Sequence, residues 1–344
     1  MRNFSFAVAV VLAFAALGDA HAQTVSPGSG QAASSFDKSS GGSGQAFPAR
    51  SVRVIVPYPP GGGADFVTRV FCKALSEQLG QQFFVDNRAG ANGNIGAELA
   101  AKAPANGYTL LGVANTTVTI NPSLYRQMPI DMLRDLAAVS IFAGQPNVLI
   151  VHPALPAKTV TELVSIARTR PGEINFASAG TGSSSHIAAA LFSMVAQISI
   201  THVPYKGNGP AFADLLGGQI PMMFNNLAPS VAQVKAGKLR ALAVTGEQRS
   251  SVAPVVPTMA EAGYPGVVFM LWVGLLAPAG TPTDIIAKLN AETVKAAQSR
   301  EVRERLAGEG TEPYTTSAPQ MADIMRNETA RWAKVVRAAN IAPE

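Results

Sequence analysis

Val52-Arg53-Val54-Ile55-Val56-Pro57-Tyr58-Pro59-Pro60-Gly61-Gly62-Gly63-Ala64-Asp65 holds a strand, a turn and the start of a helix in one short stretch. The β-branched residues at 52–56 read as a buried strand, and the prolines that follow end it. Phe66, Val67, Val70, Phe71, Ala74, Leu75 and Leu79 then recur at helical spacing, which predicts a helix over 65–79 with Asp65 as its N-cap. Cys72, beside that stripe, reads as a packed small side chain. Strand, glycine turn and helix are the first half of a parallel βαβ unit.

Working outward, the same rhythm recurs. Strands are expected at 82–85, 108–113, 148–151, 175–177, 199–203, 220–224 and 241–244, with helices at 94–103, 159–168, 184–195, 211–216 and 228–235 between them. Thr159 reads as an N-cap, with Glu162 completing a capping box. An apolar, Trp-containing strand at 267–276 leads into a helical end at 282–298, 302–306 and 320–338. The pattern predicts an α/β fold of two doubly wound lobes around a cleft, 47–148 plus 270–344 in lobe I and 149–269 in lobe II. The chain would cross between the lobes near 148–151 and again near 267–276, and the C-terminal helices would pack back on lobe I. Ligands of such sheets sit beyond the carboxyl ends of the strands.

The N-terminus reads differently. Met1-Arg2-Asn3, an apolar run over 4–17 and Asp19-Ala20-His21-Ala22 make a cleavable signal peptide over 1–22, too short to span a bilayer. A flexible Gly/Ser-rich leader follows over 23–46, so a soluble periplasmic chain is expected. Ser35-Phe36-Asp37-Lys38 in that leader has no preorganised site around it. One cysteine allows no internal disulfide, so a large core must hold the chain. The net charge of +5 is scattered, with neither a basic run nor interleaved aromatics, which argues against a nucleic-acid partner.

Two loops carry the chemistry. In the first, Tyr58, Pro60, Gly61, Gly62, Gly63, Ala64 and Asp65 bring bare backbone N–H groups to a helix N-terminus, an anion site that needs no Lys or Arg. In the second, Ala177-Ser178-Ala179-Gly180-Thr181-Gly182-Ser183-Ser184-Ser185-His186, hydroxyls accompany the glycines, and Ser178, Gly180, Thr181, Gly182, Ser183 and Ser184 are candidate donors. Facing each other across a cleft, the two loops would clamp a small carboxylate. Asn115, Tyr205 and Asn225, each at a strand end, and the polar loop from Asp86 to Asn94 are secondary candidates, while Trp272 reads as core.

Enzyme signatures are incomplete. Gly180-Thr181-Gly182-Ser183-Ser184-Ser185 has Ser at the third glycine of a dinucleotide fingerprint, and Thr201-His202-Val203 stands where its acidic residue belongs. His152, His186 and His202 stand far apart without Glu or Cys at ligand spacing, so each reads as a separate hydrogen bonder. No catalytic residue, metal or cofactor is expected. A hydrolase using 180–185 would need a base near Ser184, and His186 lies one turn on. A periplasmic sensor with a signalling partner would share the same cleft.

In this order, several stretches resemble the substrate-binding proteins of tripartite tricarboxylate transporters, the TctC or Bug family. They are the first loop from Val56 to Asp65, Asp86-Asn87-Arg88-Ala89-Gly90-Ala91-Asn92-Gly93, the second loop from Ser178 to His186, and His202-Val203-Pro204-Tyr205-Lys206-Gly207. Gly237-Lys238-Leu239-Arg240-Ala241-Leu242-Ala243-Val244-Thr245 and Leu276-Ala277-Pro278-Ala279-Gly280-Thr281-Pro282 follow. The resemblance implies a two-lobed, Venus-flytrap receptor, expected as a monomer, that passes a di- or tricarboxylate or an aromatic acid to integral-membrane transporter subunits. It implies a grip on one carboxylate between the two loops, often through bridging waters. Phe224-Asn225 stands where many members have Phe-Asp, which points away from an amino-acid ligand, and Tyr58 stands where Phe is commoner.

Overall fold

Glycines and prolines mark most element ends in this chain, and the computed structural model, which describes residues 47–341, shows where they act. The signal-peptide and leader readings lie outside the described residues. β1 (Val52–Val56) runs into the glycine turn and α1 (Gly63–Leu79), which Gly80 ends in the left-handed conformation at φ 66°. Then come β2 (Phe83–Asn87), α2 (Asn94–Ala101), β3 (Thr109–Ala114), α3 (Asn121–Leu124) and β4 (Leu136–Val151). α4 (Val160–Thr169), β5 (Asn175–Ser178), α5 (Ser184–Ala196), β6 (Thr201–Pro204), α6 (Asn208–Leu216), β7 (Met222–Asn226), α7 (Leu227–Lys235) and β8 (Arg240–Val244) follow. The chain closes with β9 (Met270–Pro278), α8 (Thr283–Gln298), α9 (Arg300–Gly308), β10 (Glu312–Pro313) and α10 (Ala318–Ala338).

The strand order is β2-β1-β3-β9-β4-β7-β5-β6, with β8 and β10 also paired to β4. β1, β2 and β3 are mutually parallel, as are β5, β6 and β7, as strand–helix alternation demands. β4, β8 and β9 depart from the parallel expectation: β9 is antiparallel to β3 and β4, and β4 is antiparallel to β7 and β8. β4 joins the two halves. It pairs with β9 from Leu136 to Pro146 and with β7 from Asn147 to Val151, so the ladder changes partner at Pro146, which has no N–H to give. The sequence pattern showed only the last part of this strand, because Ser140, Gly144, Gln145 and Pro146 interrupt its apolar run.

Val54, Phe71, Leu110 and Leu275 centre the core of the first sheet, while Leu149, Phe176, Phe192 and Phe224 centre that of the second. α8 and α9 pack on the first, as expected, through Leu289, Val302 and Leu306. α10 does something the amphipathic pattern did not show: Met321 and Met325 enter a first-sheet cluster with Ile55 and Leu111, and Trp332, Val335 and Val336 enter the second-sheet core. Ile120 and Leu124 also reach the second core.

Candidate functional site

The first loop is held from below. Gly62, not Asp65, is the N-cap of α1, and no side chain caps that helix. The Asp65 carboxylate, 2% exposed, instead accepts from the Gly61 N–H at 2.9 Å, Arg69 Nε at 2.9 Å and Asn87 Nδ2 at 2.8 Å. Burial opposes its ionisation, but those hydrogen bonds outweigh burial and hold the carboxyl below its usual range. Gly61 sits at φ +84°, where a side chain is strained, and its N–H is spent on Asp65. The N–H groups of Gly63 and Ala64, in the first turn, have no helical partner. Tyr58 is a strut: its hydroxyl lies 2.6 Å from Thr117 Oγ1 and accepts from the Ala114 N–H at 3.2 Å. Pro60 and Gly62 are exposed beside it.

The second loop spends most of its hydroxyls on itself. Ser183 caps α5, accepting from the His186 N–H, and its hydroxyl donates to the Gly180 carbonyl at 2.6 Å. Ser185 Oγ accepts from the Ala179 N–H at 3.0 Å. Ser178 is fully buried, with its Oγ 2.6 Å from His202 Nε2. His186 Nδ1 accepts from the Gly182 N–H at 3.1 Å. The two histidines, read as separate from their distance along the chain, stack with ring centroids 3.8 Å apart. The parallel register explains it: Phe176 of β5 pairs with His202 of β6, and the loop after β5 returns His186 over that pair. Burial, with the neighbouring ring, lowers His186 to about 3, and burial lowers His202 to about 4, so both are neutral at neutral pH. Gly182, at φ +76°, lies so close to Leu124 that any side chain would overlap it. Thr181 is exposed at the tip, and the Ser184 hydroxyl makes no hydrogen bond to a described residue.

The two loops meet at one cavity of about 630 Å³. Gly61, Gly63 and Ala64 line it from the first loop and Ser184 from the second. Ala114, Ala143, Leu271 and Val273 form an apolar floor, with Phe66 and Val67 beside it. Asn226, read with Asn225 as a secondary candidate at a strand end, also lines it, while Gln145 on β4, Asn208 opening α6, Ala228 and Pro229 in α7, and Gly308, Glu309 and Thr311 at the end of α9 went unseen in the sequence. Among the described residues no Lys, Arg or His lines the cavity, and Glu309 is the one charged side chain that does. Gln145 Oε1 and Asn208 Oδ1 are buried there without a partner.

Other candidates lie off the cavity. Asn115 is buried and donates to the Met270 carbonyl at 2.8 Å, and the Tyr205 hydroxyl donates to Asp214 at 2.7 Å. Asn225 Nδ2 donates to Ser230 Oγ at 3.2 Å, and its neighbour Asn226 lines the cavity instead. Trp272 is buried, as expected of core, with Nε1 donating to Glu328. Burial pushes the Cys72 thiol to about 12, which leaves it un-ionised.

Residues 67–341 match the model of the tripartite tricarboxylate transporter family receptor. The chain belongs to that family. The receptor is 40% identical to protein BugT of Bordetella pertussis, over 86% of this chain and 91% of that protein. Among solved structures it is similar to R. palustris Rpa4515 with adipate, at 38% identity and TM-score 0.75, covering 87% of this chain and 100% of that one. It is also similar to MatC from Rhodopseudomonas palustris with bound malate, at 32% identity and TM-score 0.71, covering 84% and 100%. It is a solute-binding receptor of the periplasmic type, with two α/β lobes. Among the described residues no helix is long and apolar enough to cross a membrane, and no cluster of three His, Cys, Asp or Glu is placed to hold a metal.

Proposed function

We propose that this receptor takes up a small carboxylate between the first turns of α1 and α5 and delivers it to an integral-membrane transporter. One observation carries the reading: two helix N-termini from different sheets open onto the same cavity, and no cationic side chain of the described residues lines it. The Gly63 and Ala64 N–H groups and the Ser184 hydroxyl are donors without an internal partner, and the helix dipoles add positive potential at the same place. A ligand that touches both loops binds best when they are close together, so binding favours closure. The adipate and malate of the two similar structures fit this chemistry.

On this reading the N-terminal 22 residues direct export to the periplasm and the receptor acts as a monomer without catalysis. A hydrolase would need a base at Ser184, yet His186 commits its accepting nitrogen to the Gly182 N–H. The Ser–His pair that does form uses Ser178, which solvent does not reach. The test is a thermal-shift screen of adipate, malate and terephthalate against the mature protein. A ligand at about a hundred times its dissociation constant adds ~2.7 kcal/mol to stability, an easily read shift. A melting curve unmoved by every carboxylate would sink the reading.

A further inference from the structure

The cleft is not chemically symmetrical. Counted from the shared strand β4, the first sheet continues β9, β3, β1, and the second continues β7, β5, β6. The donor loops follow β1 and β5, so their groups face each other at the outer end, away from β4, where Asn208, after β6, adds one amide oxygen without a partner. Gln145, on β4 itself, lies at the hinge end, three strand spacings from β1 or ~14 Å at ~4.8 Å per pair. Between the two ends the floor is apolar: Ala114, Val273 and Ala143 on successive strands.

What gathers at the hinge end is acceptor chemistry. Gln145 Oε1 is buried without a partner. The β10–β4 register sets Glu312 against Gly144, which puts Thr311 beside Gln145. The Gly308–Thr311 turn then crosses to the other lobe: a Cβ on Gly310 would lie 2.8 Å from Ala228 Cβ and 3.0 Å from the Ala228 nitrogen. That close approach sets the turn against the start of α7, and Glu309, whose carboxylate makes no ion pair or hydrogen bond with a described residue, lines the cavity beside it.

We infer that the hinge end of this cleft receives a hydrogen-bond donor, so that the ligand is a monocarboxylate carrying a hydroxyl or an ammonium group at the far end of an apolar body. The inference rests on the carboxylate reading of the outer end. The buried Gln145 oxygen is satisfied only by a donor, and a second carboxylate would meet the Glu309 charge with no cation among the described lining residues to offset it.

Calorimetry with four six-carbon acids tests this. In the unmodified receptor, 6-hydroxyhexanoate or 6-aminohexanoate should bind at least tenfold tighter than both hexanoate and adipate. Glu309→Gln, a change on an exposed turn, should leave the melting temperature in place, strengthen adipate at least fivefold and weaken 6-aminohexanoate by a similar factor. Which of the two donor acids leads in the unmodified receptor separates a hydroxyl site from an ammonium site. Adipate binding tightest, hexanoate matching the donor acids, or affinities unmoved by Glu309→Gln would each overturn the inference while leaving carboxylate capture standing. Binding by none of the four would take the carboxylate reading down with it.

Discussion

At the scale of single residues, the donors that matter are those left over after the loops have held themselves in place. Asp65 absorbs the Gly61 N–H, and Ser183, Ser185 and Ser178 are consumed inside the second loop. Gly63, Ala64 and Ser184 are left facing the cavity. This changes which substitution is most telling. A Cβ at Gly62 would lie near only the Pro59 carbonyl, and Gly62 does not line the cavity; Gly63 does line it, and a Cβ there would meet nothing within 4 Å. Gly63→Val should therefore fold normally, with an unchanged melting temperature, and fill the anion position with a branched side chain. Binding of the acid that the thermal screen selects should fall at least a hundredfold by calorimetry, and retention of affinity would show that the carboxylate lies elsewhere. The two loops were legible in the sequence because their donors are backbone groups that Gly and Ser advertise locally. Gln145, Asn208 and Glu309 were not, since nothing near them in the chain marks them and only the topology brings them to the cavity.

Most elements were legible for the same local reason: glycine, proline and capping residues set their ends. Thr159 caps α4 as read, accepting from the Glu162 N–H, although the Glu162 carboxylate turns to the Lys158 N–H instead of closing the box. The first three-quarters of β4 and the double packing of α10 escaped, because pairing with β9 and contact with two cores are non-local facts. The junction between β5, α5 and β6 makes a prediction at this scale. The neutral His186–His202 stack, with Phe176 against it, ties the α5 N-terminus to β6 through Gly182 and Ser178. An unfolded histidine titrates near ~6.5, whereas these titrate at about 3 and about 4, so below ~6.5 the unfolded chain binds more protons than the folded one. Stability should therefore fall as pH drops from ~6.5 towards these lower values. Ordinary carboxylates begin to matter only lower, near ~4, while Glu328, raised by burial, pulls the slope the other way. His202→Gln keeps a group able to bond Ser178 and removes one titration. Urea unfolding between pH 7 and 5 should show a shallower pH slope for the variant than for the unmodified protein, and equal slopes would refute the neutral stack.

At the scale of the whole described chain, 47–341, the lobes are joined by more than a hinge strand. β4 passes from one sheet to the other at Pro146, and α10 lies in both cores. Gly182 against Leu124 and Gly310 against Ala228 add two further close approaches. A large rotation would shear α10 past one of the two cores it fills, so closure is expected as a small tightening of the two donor loops about the ligand. Capture then has a signature that neither lobe can produce alone. The amides of the first turn of α1 and those of the first turn of α5 lie more than a hundred residues apart in the chain, yet a carboxylate held between them should slow the hydrogen exchange of both at once. With saturating adipate, or whichever acid the thermal screen selects, protection should appear together in the segments around Gly63–Phe66 and Ser184–Ile187, and both should lose it in Gly63→Val. Protection confined to one segment would mean that the ligand sits on a single lobe and that the cavity between the loops is not where it is held.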